Sequence, residues 1–243
     1  FKDVSLMYAG SSENTIEGLN LKVLKGQTIG VIGGTGSGKT SLINMIPRFY
    51  DATKGEVLVN GTNVKEYTEE GLRNKIGIVP QKAVLFKGTI RSNLLWGNES
   101  ATENDLMEAL KQAQSYDFVM QKENGIDSVV EQNGRNFSGG QRQRLTIARA
   151  LVRKPEILIL DDSSSALDYT TDANLRKEIA KLKDMTVFIV SQRTASIMDA
   201  DQIVVLDDGN VMGIGTHKEL LENCEVYKEI YESQFKKPEK EEM

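Results

Sequence analysis

Cysteine occurs once in the 243 residues, at position 224. No internal disulfide framework can form, which suits a reducing compartment, and Cys224 reads as a small buried apolar side chain. Histidine also occurs once: His217, in a Gly-Thr-His-Lys run before a helical pattern, reads as structural. No window approaches the roughly 20 consecutive apolar residues of a membrane helix, and no signal-peptide pattern is visible. Positive charge is not in excess. With 30 Lys and Arg against 35 Asp and Glu, the formal net charge is −5, and no basic run stands out, which argues against a nucleic-acid partner. Internal repeats are absent as well. What remains, 39% hydrophobic and 27% charged residues, describes a globular chain able to form one large α/β domain or two lobes sharing a core. The chain opens on Phe1, directly in a strand pattern and without Met, so a piece of something longer is expected.

The most informative stretch runs from Gly33 to Ser41. Gly33, Gly34, Thr35, Gly36, Ser37, Gly38, Lys39, Thr40 and Ser41 contain the complete phosphate-loop pattern G-x-x-x-x-G-K-[ST] between an apolar strand and a helical run. Glycines let backbone N–H groups curl around phosphate oxygens, and the helix that follows adds its positive N-terminal end. Lys39 then reaches the β- and γ-phosphates, and the Thr40 hydroxyl ligates Mg²⁺.

Phe1, Val4, Leu6 and Tyr8 read as a first strand, 19–24 as a second, and 28–32 as the strand into the loop. Residues 56–59 predict a further strand, turned by Asn60-Gly61. A short apolar strand, 76–79, ends at Pro80-Gln81. From 83 to 151 the β signal disappears, and 89–95, 103–114 and 116–121 carry helical spacing, with Thr102 placed to cap the second. Ser138-Gly139-Gly140 opens a long helix with Leu145, Ile147, Ala148 and Leu151 on one face. Then apolar strands at 157–160, 187–190 and 203–206 alternate with helices at 172–182 and near Ala195, the pattern of a parallel sheet covered on both faces. Asp207 to Asn210 makes a hairpin into 211–214. Asp161-Asp162, closing an apolar strand, taken alone fits a turn or a helix cap; beside a phosphate loop it fits the acid that holds a Mg²⁺ shell.

Together these motifs resemble the ATP-binding cassette (ABC) family, specifically the nucleotide-binding domain of its exporters. The run 137–151, FSGGQRQRLTIARAL, is similar to the family signature through Phe137, Ser138, Gly139, Gly140 and Gln141. Gln81 resembles the Q-loop glutamine, 165–168 the D-loop ending in Asp168, and Tyr8 the aromatic that stacks on adenine, although spacing alone leaves Tyr8 equally open to packing. RFYDATKGEVLVNG and TIRSNLLWG look like the exporter forms of their regions. The resemblance implies an α/β fold: a P-loop NTPase (RecA-like) core with a parallel sheet, an antiparallel β subdomain and an inserted α-helical subdomain. One domain over 1–243 is expected, with 1–82 plus 152–231 as core and β subdomain, 83–151 as helical subdomain, and 232–243 as a charged tail. Cofactors are ATP and Mg²⁺, the metal held by Thr40, Gln81 and Asp161. In the family two such domains pack head to tail, each ATP lying between one phosphate loop and the other's signature.

Two positions depart from the family pattern. A glutamate that polarises the attacking water follows the strand-end aspartate in active members; here it is Asp162. The switch loop's usual histidine is Gln192, which can hydrogen-bond but cannot be protonated. This combination resembles the degenerate half of a heterodimeric exporter, whose own site is slow or inactive and whose signature completes a site on a different partner chain. The resemblance further implies an N-terminal membrane domain and a place on the cytoplasmic face of the cell membrane. A soluble ABC ATPase acting on macromolecules and a non-hydrolysing ATP-sensing module are the alternatives; the first is expected to carry tandem cassettes or coiled insertions.

Overall fold

A computed structural model describes residues 1–235. The chain begins with β1 (Lys2–Leu6), β2 (Ile16–Leu19) and β3 (Thr28–Gly33), then α1 (Lys39–Asn44). β4 (Lys54–Glu56), the ribbon of β5 (Leu58–Val59) and β6 (Thr62–Asn63), α2 (Glu69–Arg73) and β7 (Ile76–Val79) follow. Next come β8 (Gly88–Thr89), α3 (Ile90–Leu95), α4 (Glu103–Gln112), α5 (Tyr116–Met120), β9 (Val129–Val130) and α6 (Gly139–Val152). β10 (Ile157–Asp161), α7 (Tyr169–Ile179), β11 (Thr186–Val190), β12 (Gln202–Asp207), β13 (Asn210–Gly215), α8 (His217–Asn223) and α9 (Glu225–Phe235) complete it.

Nine strands form one sheet in the order β4-β1-β2-β13-β12-β3-β11-β10-β7. The half from β12 to β7 is parallel throughout, while β1 pairs antiparallel with β2 and β4, and β12 with β13. The apolar runs explain this division, because a strand with helices on both faces buries every side chain. Leu158 and Leu160 of β10 pack into one core cluster with the helices α3 to α6. Ile159, between them, packs into the other cluster with Leu42 and Ile43 of α1. The parallel strands therefore end together, and β3, β10 and β11 deliver Gly33, Asp161 and Val190 to one edge.

Five expectations need correction. The second strand is Ile16–Leu19 and not 19–24: Leu19 and Leu21 are buried but Leu24 is exposed, so the leucine run leaves the sheet instead of continuing it. The segment 83–151 does contain β structure, since β8 and β9 pair antiparallel through Gly88↔Val130 and Thr89↔Val129; two residues are too few to carry a period. The helix expected near Ala195 is a single 3-10 turn, Thr194–Ser196, and the one expected over 172–182 begins earlier, at Tyr169, capped by Asp168. Residues 232–235 belong to α9 and are not a free tail; 236–243 lie outside the described residues. Both hairpins occur as expected, with Asn60 and Gly61 at φ of 51° and 81° and Asp208 and Gly209 at 45° and 78°, the left-handed pairs that two-residue turns require. Cys224 is buried, its Sγ 3.7 Å from the Met212 carbonyl, and His217 bonds the Tyr227 hydroxyl through Nδ1 at 2.8 Å, the structural places expected.

Candidate nucleotide site

The site is built where β3 ends. Gly33 closes the strand, and the loop turns through Gly36 and Gly38 before α1 starts at Lys39. Gly38 has a φ of 96°, and a Cβ there would lie 2.5 Å from the Thr15 carbonyl and 2.7 Å from Ile16 Cδ1. Only glycine meets both demands. The Lys39 ammonium folds back over the loop, donating to the Gly33 carbonyl at 2.8 Å and the Gly34 carbonyl at 2.5 Å. Burial pushes its pKa down, against the opposing pull of Asp162 and Asp161.

Across from the loop, at the end of β10, Asp161 accepts from the Thr40 hydroxyl through both carboxylate oxygens at 3.2 Å. Their separation of 121 positions in sequence is closed by β3, β11 and β10 lying side by side. Burial raises the Asp161 carboxyl, and neighbouring Asp162 raises it further, while Thr40 and Lys39 pull it down. Asp162 is raised chiefly by burial too. It occupies the left-handed region at φ 47°, its N–H donating to the Val190 carbonyl at 2.9 Å, and its side chain accepts from Gln81 Nε2 at 3.2 Å. Two raised carboxyls beside one depressed ammonium define a site that gains from a cation and a polyanion arriving together.

Among the described residues no group of three or more His, Cys, Asp or Glu is placed to hold a metal. The donors that are present, a hydroxyl, a carboxylate and an amide, are hard and few, which fits Mg²⁺ carried in with phosphate oxygens. At the flank of the loop Tyr8 donates to or accepts from Ser41 Oγ at 2.8 Å. The Tyr50 ring meets it in a T-shaped pair, with centroids 4.9 Å apart and planes at 82°.

The segment 137–141 forms a second feature elsewhere on the chain. Phe137 is buried with the Lys122 ammonium 4.5 Å from its ring centroid. Ser138 caps α6, its hydroxyl accepting from the Gln141 N–H at 3.2 Å while Gln141 Oε1 accepts from the Ser138 N–H at 3.1 Å. This capping box leaves the helix start exposed. A Cβ on Gly139 would have no neighbour within 4 Å.

The model of the family described as ABC transporter matches residues 16–165. The chain belongs to the ABC transporter family. It is 44% identical over 235 residues to an ABC transporter ATP-binding protein of Bacillus subtilis, YfiB, itself uncharacterized, covering 97% of this chain and 41% of that protein. A Staphylococcus aureus protein provisionally described as a multidrug export ATP-binding/permease protein is 41% identical over 232 residues, 95% of this chain and 40% of its own. The solved structure of a bacterial Atm1-family ABC exporter with ATP bound superposes with a TM-score of 0.92 at 33% identity, over 98% of this chain and 42% of that one. This ABC chain thus spans about two fifths of the length of the relatives it matches.

Within this ABC domain the structure brings Lys39, Thr40, Ser41, Tyr8, Gln81, Asp161 and Asp162 to one region. The 137–141 segment and Asp168, whose carboxylate caps α7 through Thr171, bond to none of them. Gln192 is held through its backbone, its carbonyl accepting from Gln234 Nε2 at 2.7 Å. Sequence reasoning missed three neighbours. Tyr50 orients Tyr8, Gln234 holds the 192–194 segment, and Arg193 donates to the carbonyls of Ser164, Ser165 and Leu167 at 3.4–3.5 Å with its guanidinium over Tyr169. The arginine-next-to-glutamine was visible, but a side chain aimed at backbone carbonyls leaves no spacing to read.

The raised Asp161 carboxyl has a consequence for stability. A carboxyl pKa raised on folding means that the native state pays for ionisation, in full above the raised value and not at all below the ordinary carboxylate range. Asp161→Asn is therefore expected to melt higher than the parent at pH 7 without nucleotide, with the gap closing as pH falls towards 4. Thermal melts across pH 4 to 8 check it.

Proposed function

We propose that this chain is the ATP-binding domain of one half of a heterodimeric ABC exporter: it binds Mg-ATP at a degenerate site of low or no turnover, and its signature segment completes the active site of a non-identical partner half-transporter. The observation that carries the reading is Asp162. In the position of the general base it is one methylene short of glutamate, it is bonded to Gln81, and its backbone sits at φ 47°, a conformation aspartate tolerates better than most residues. A carboxylate withdrawn by about 1 Å from an attacking water costs around a hundredfold in rate. Gln192, at the switch position, cannot offer a protonated ring to developing negative charge.

In this reading ATP lies with its adenine on Tyr8 and its phosphates in the loop 33–41. Thr40, Asp161 and Gln81 would hold Mg²⁺, which would supply positive charge to offset that of the phosphates. Lys39 leaves the Gly33 and Gly34 carbonyls for the β- and γ-phosphates. Ser138, Gly139 and Gly140 offer a hydroxyl and helix-start N–H groups to the partner's nucleotide. Gly139 supports this, since nothing within the chain needs glycine there, whereas a group approaching from outside would. The helical lobe 83–151 carries that segment, and Asp168 lies on the connection between the two anion sites.

An exporter, with a membrane domain preceding this one and a place at the cytoplasmic face of the membrane, is favoured over a soluble ATPase by the relatives, two of which bear export in their descriptions. The test is the double substitution Asp162→Glu with Gln192→His, in an assembled heterodimer whose partner site has been silenced. Hydrolysis at this site is expected to rise at least about tenfold. Unchanged hydrolysis would sink the degenerate-site reading.

A further inference from the structure

The last turn of α9 reaches the switch segment through one side chain. Gln234 Oε1 accepts from both the N–H and the hydroxyl of Thr194 at 2.9 Å, and its Nε2 donates to the Gln192 carbonyl at 2.7 Å. The amide thus spans Gln192 to Thr194 as a neighbouring strand would. Its two ends have different work. Thr194 is fully buried, so Oε1 satisfies donors that would otherwise be orphaned inside the protein. The Nε2 end satisfies nothing buried of that kind; it fixes the peptide that carries the Gln192 side chain. On its other side the segment is tied to the 164–167 connection, by Arg193 on the carbonyls of Ser164, Ser165 and Leu167 and by Ser196 Oγ, which lies 3.4 Å from Ser164 Oγ and 3.2 Å from Asp172 Oδ2. Gln234 is the anchor on the side of the C-terminal helix.

We infer that Gln234 is a positioning residue for the nucleotide site, holding Gln192 where it meets the terminal phosphate and so making α9 part of the mechanism that tells ATP from ADP. This rests on the reading that Gln192 faces the γ-phosphate. The geometry gives a separable test, because glutamate at pH 8 keeps the acceptor for Thr194 and loses the donor to Gln192. Gln234→Glu and Gln192→Ala are made in the complete protein, and Mg-ATP and Mg-ADP affinities are measured by calorimetry alongside thermal melts. Gln234→Glu is expected to weaken ATP about tenfold and ADP less than about twofold, at an unchanged melting temperature. Gln192→Ala is expected to shift the ATP-to-ADP ratio in the same direction. If Gln192→Ala shifts the ratio and Gln234→Glu does not, the positioning role is overturned and the switch reading stands. If neither shifts it, both fall. Equal loss of ATP and ADP with Gln234→Glu would leave Gln234 a structural residue only. Should Gln234→Glu fold poorly, Gln234→Met, which fills the same space without either hydrogen bond, must still lower the ratio for the inference to hold.

Discussion

Lys39→Met is expected to abolish measurable Mg-ATP binding, weakening it by about a hundredfold or more. Among the described residues the ammonium is the one cation bonded to the loop, and a hydrogen bond to a charged group contributes about 1.5–3 kcal/mol. Two of them to phosphate oxygens give about 3–6 kcal/mol, or two to four decades of affinity. A folding defect predicts a different companion result. Burial depresses the Lys39 pKa, so the charged form costs the native state at every pH below that depressed value, and the cost is relieved only as pH rises through it. Removing the charge therefore leaves the empty protein melting no lower than the parent at pH 7. Calorimetric titration and a thermal melt on the same sample check both halves; a collapse in melting temperature with lost binding would make Lys39 a structural residue.

Ser138→Arg is expected to separate the two anion sites. Ser138 is an exposed helix cap that bonds to none of the phosphate-loop residues. The loss of a serine cap costs about 1 kcal/mol of local helix stability, and the arginine side chain blocks the helix start. The chain's own Mg-ATP affinity should stay within about twofold, whereas hydrolysis in the assembled pair should fall by about a hundredfold or more. Steady-state hydrolysis by the pair, beside calorimetry on the variant, reads both. Lost affinity within the chain itself would contradict the division of labour between the two segments.

What the sequence revealed and what it hid follow a physical line. The loop 33–41 was legible because glycine, lysine and a hydroxyl must stand at fixed spacing for one short turn to bind phosphate. β10 and β11 were legible because burial on both faces demands unbroken apolar runs. The Thr40–Asp161 contact could be anticipated from chemistry but not from spacing: an acid closing an apolar strand suits a metal shell beside a phosphate loop, yet the two lie 121 positions apart and only three parallel strands bring them together. The β8–β9 ribbon has two residues per strand and no period to detect. Gln234 was invisible for another reason: a glutamine on the exposed side of a terminal helix resembles any solvated residue until the fold lays Thr194 beneath it. Tyr8 was undecided between packing and stacking, and its geometry shows why, because at the margin of the loop its hydroxyl is engaged by Ser41 and its ring meets Tyr50 at a steep angle, contacts that suit either role.

The burial of Cys224, at 6% exposure with its sulfur turned to the Met212 carbonyl, carries a practical consequence. Thiol reagents need an accessible thiolate, so the folded chain is chemically silent towards maleimides without any cysteine having been removed. Single cysteines placed at exposed positions away from both anion sites, such as Glu123 or Lys218, would then be the labelled points on an otherwise unaltered chain. A spin or fluorophore pair, one on this chain and one on a partner, could follow the approach of the two halves in real time as nucleotide is added.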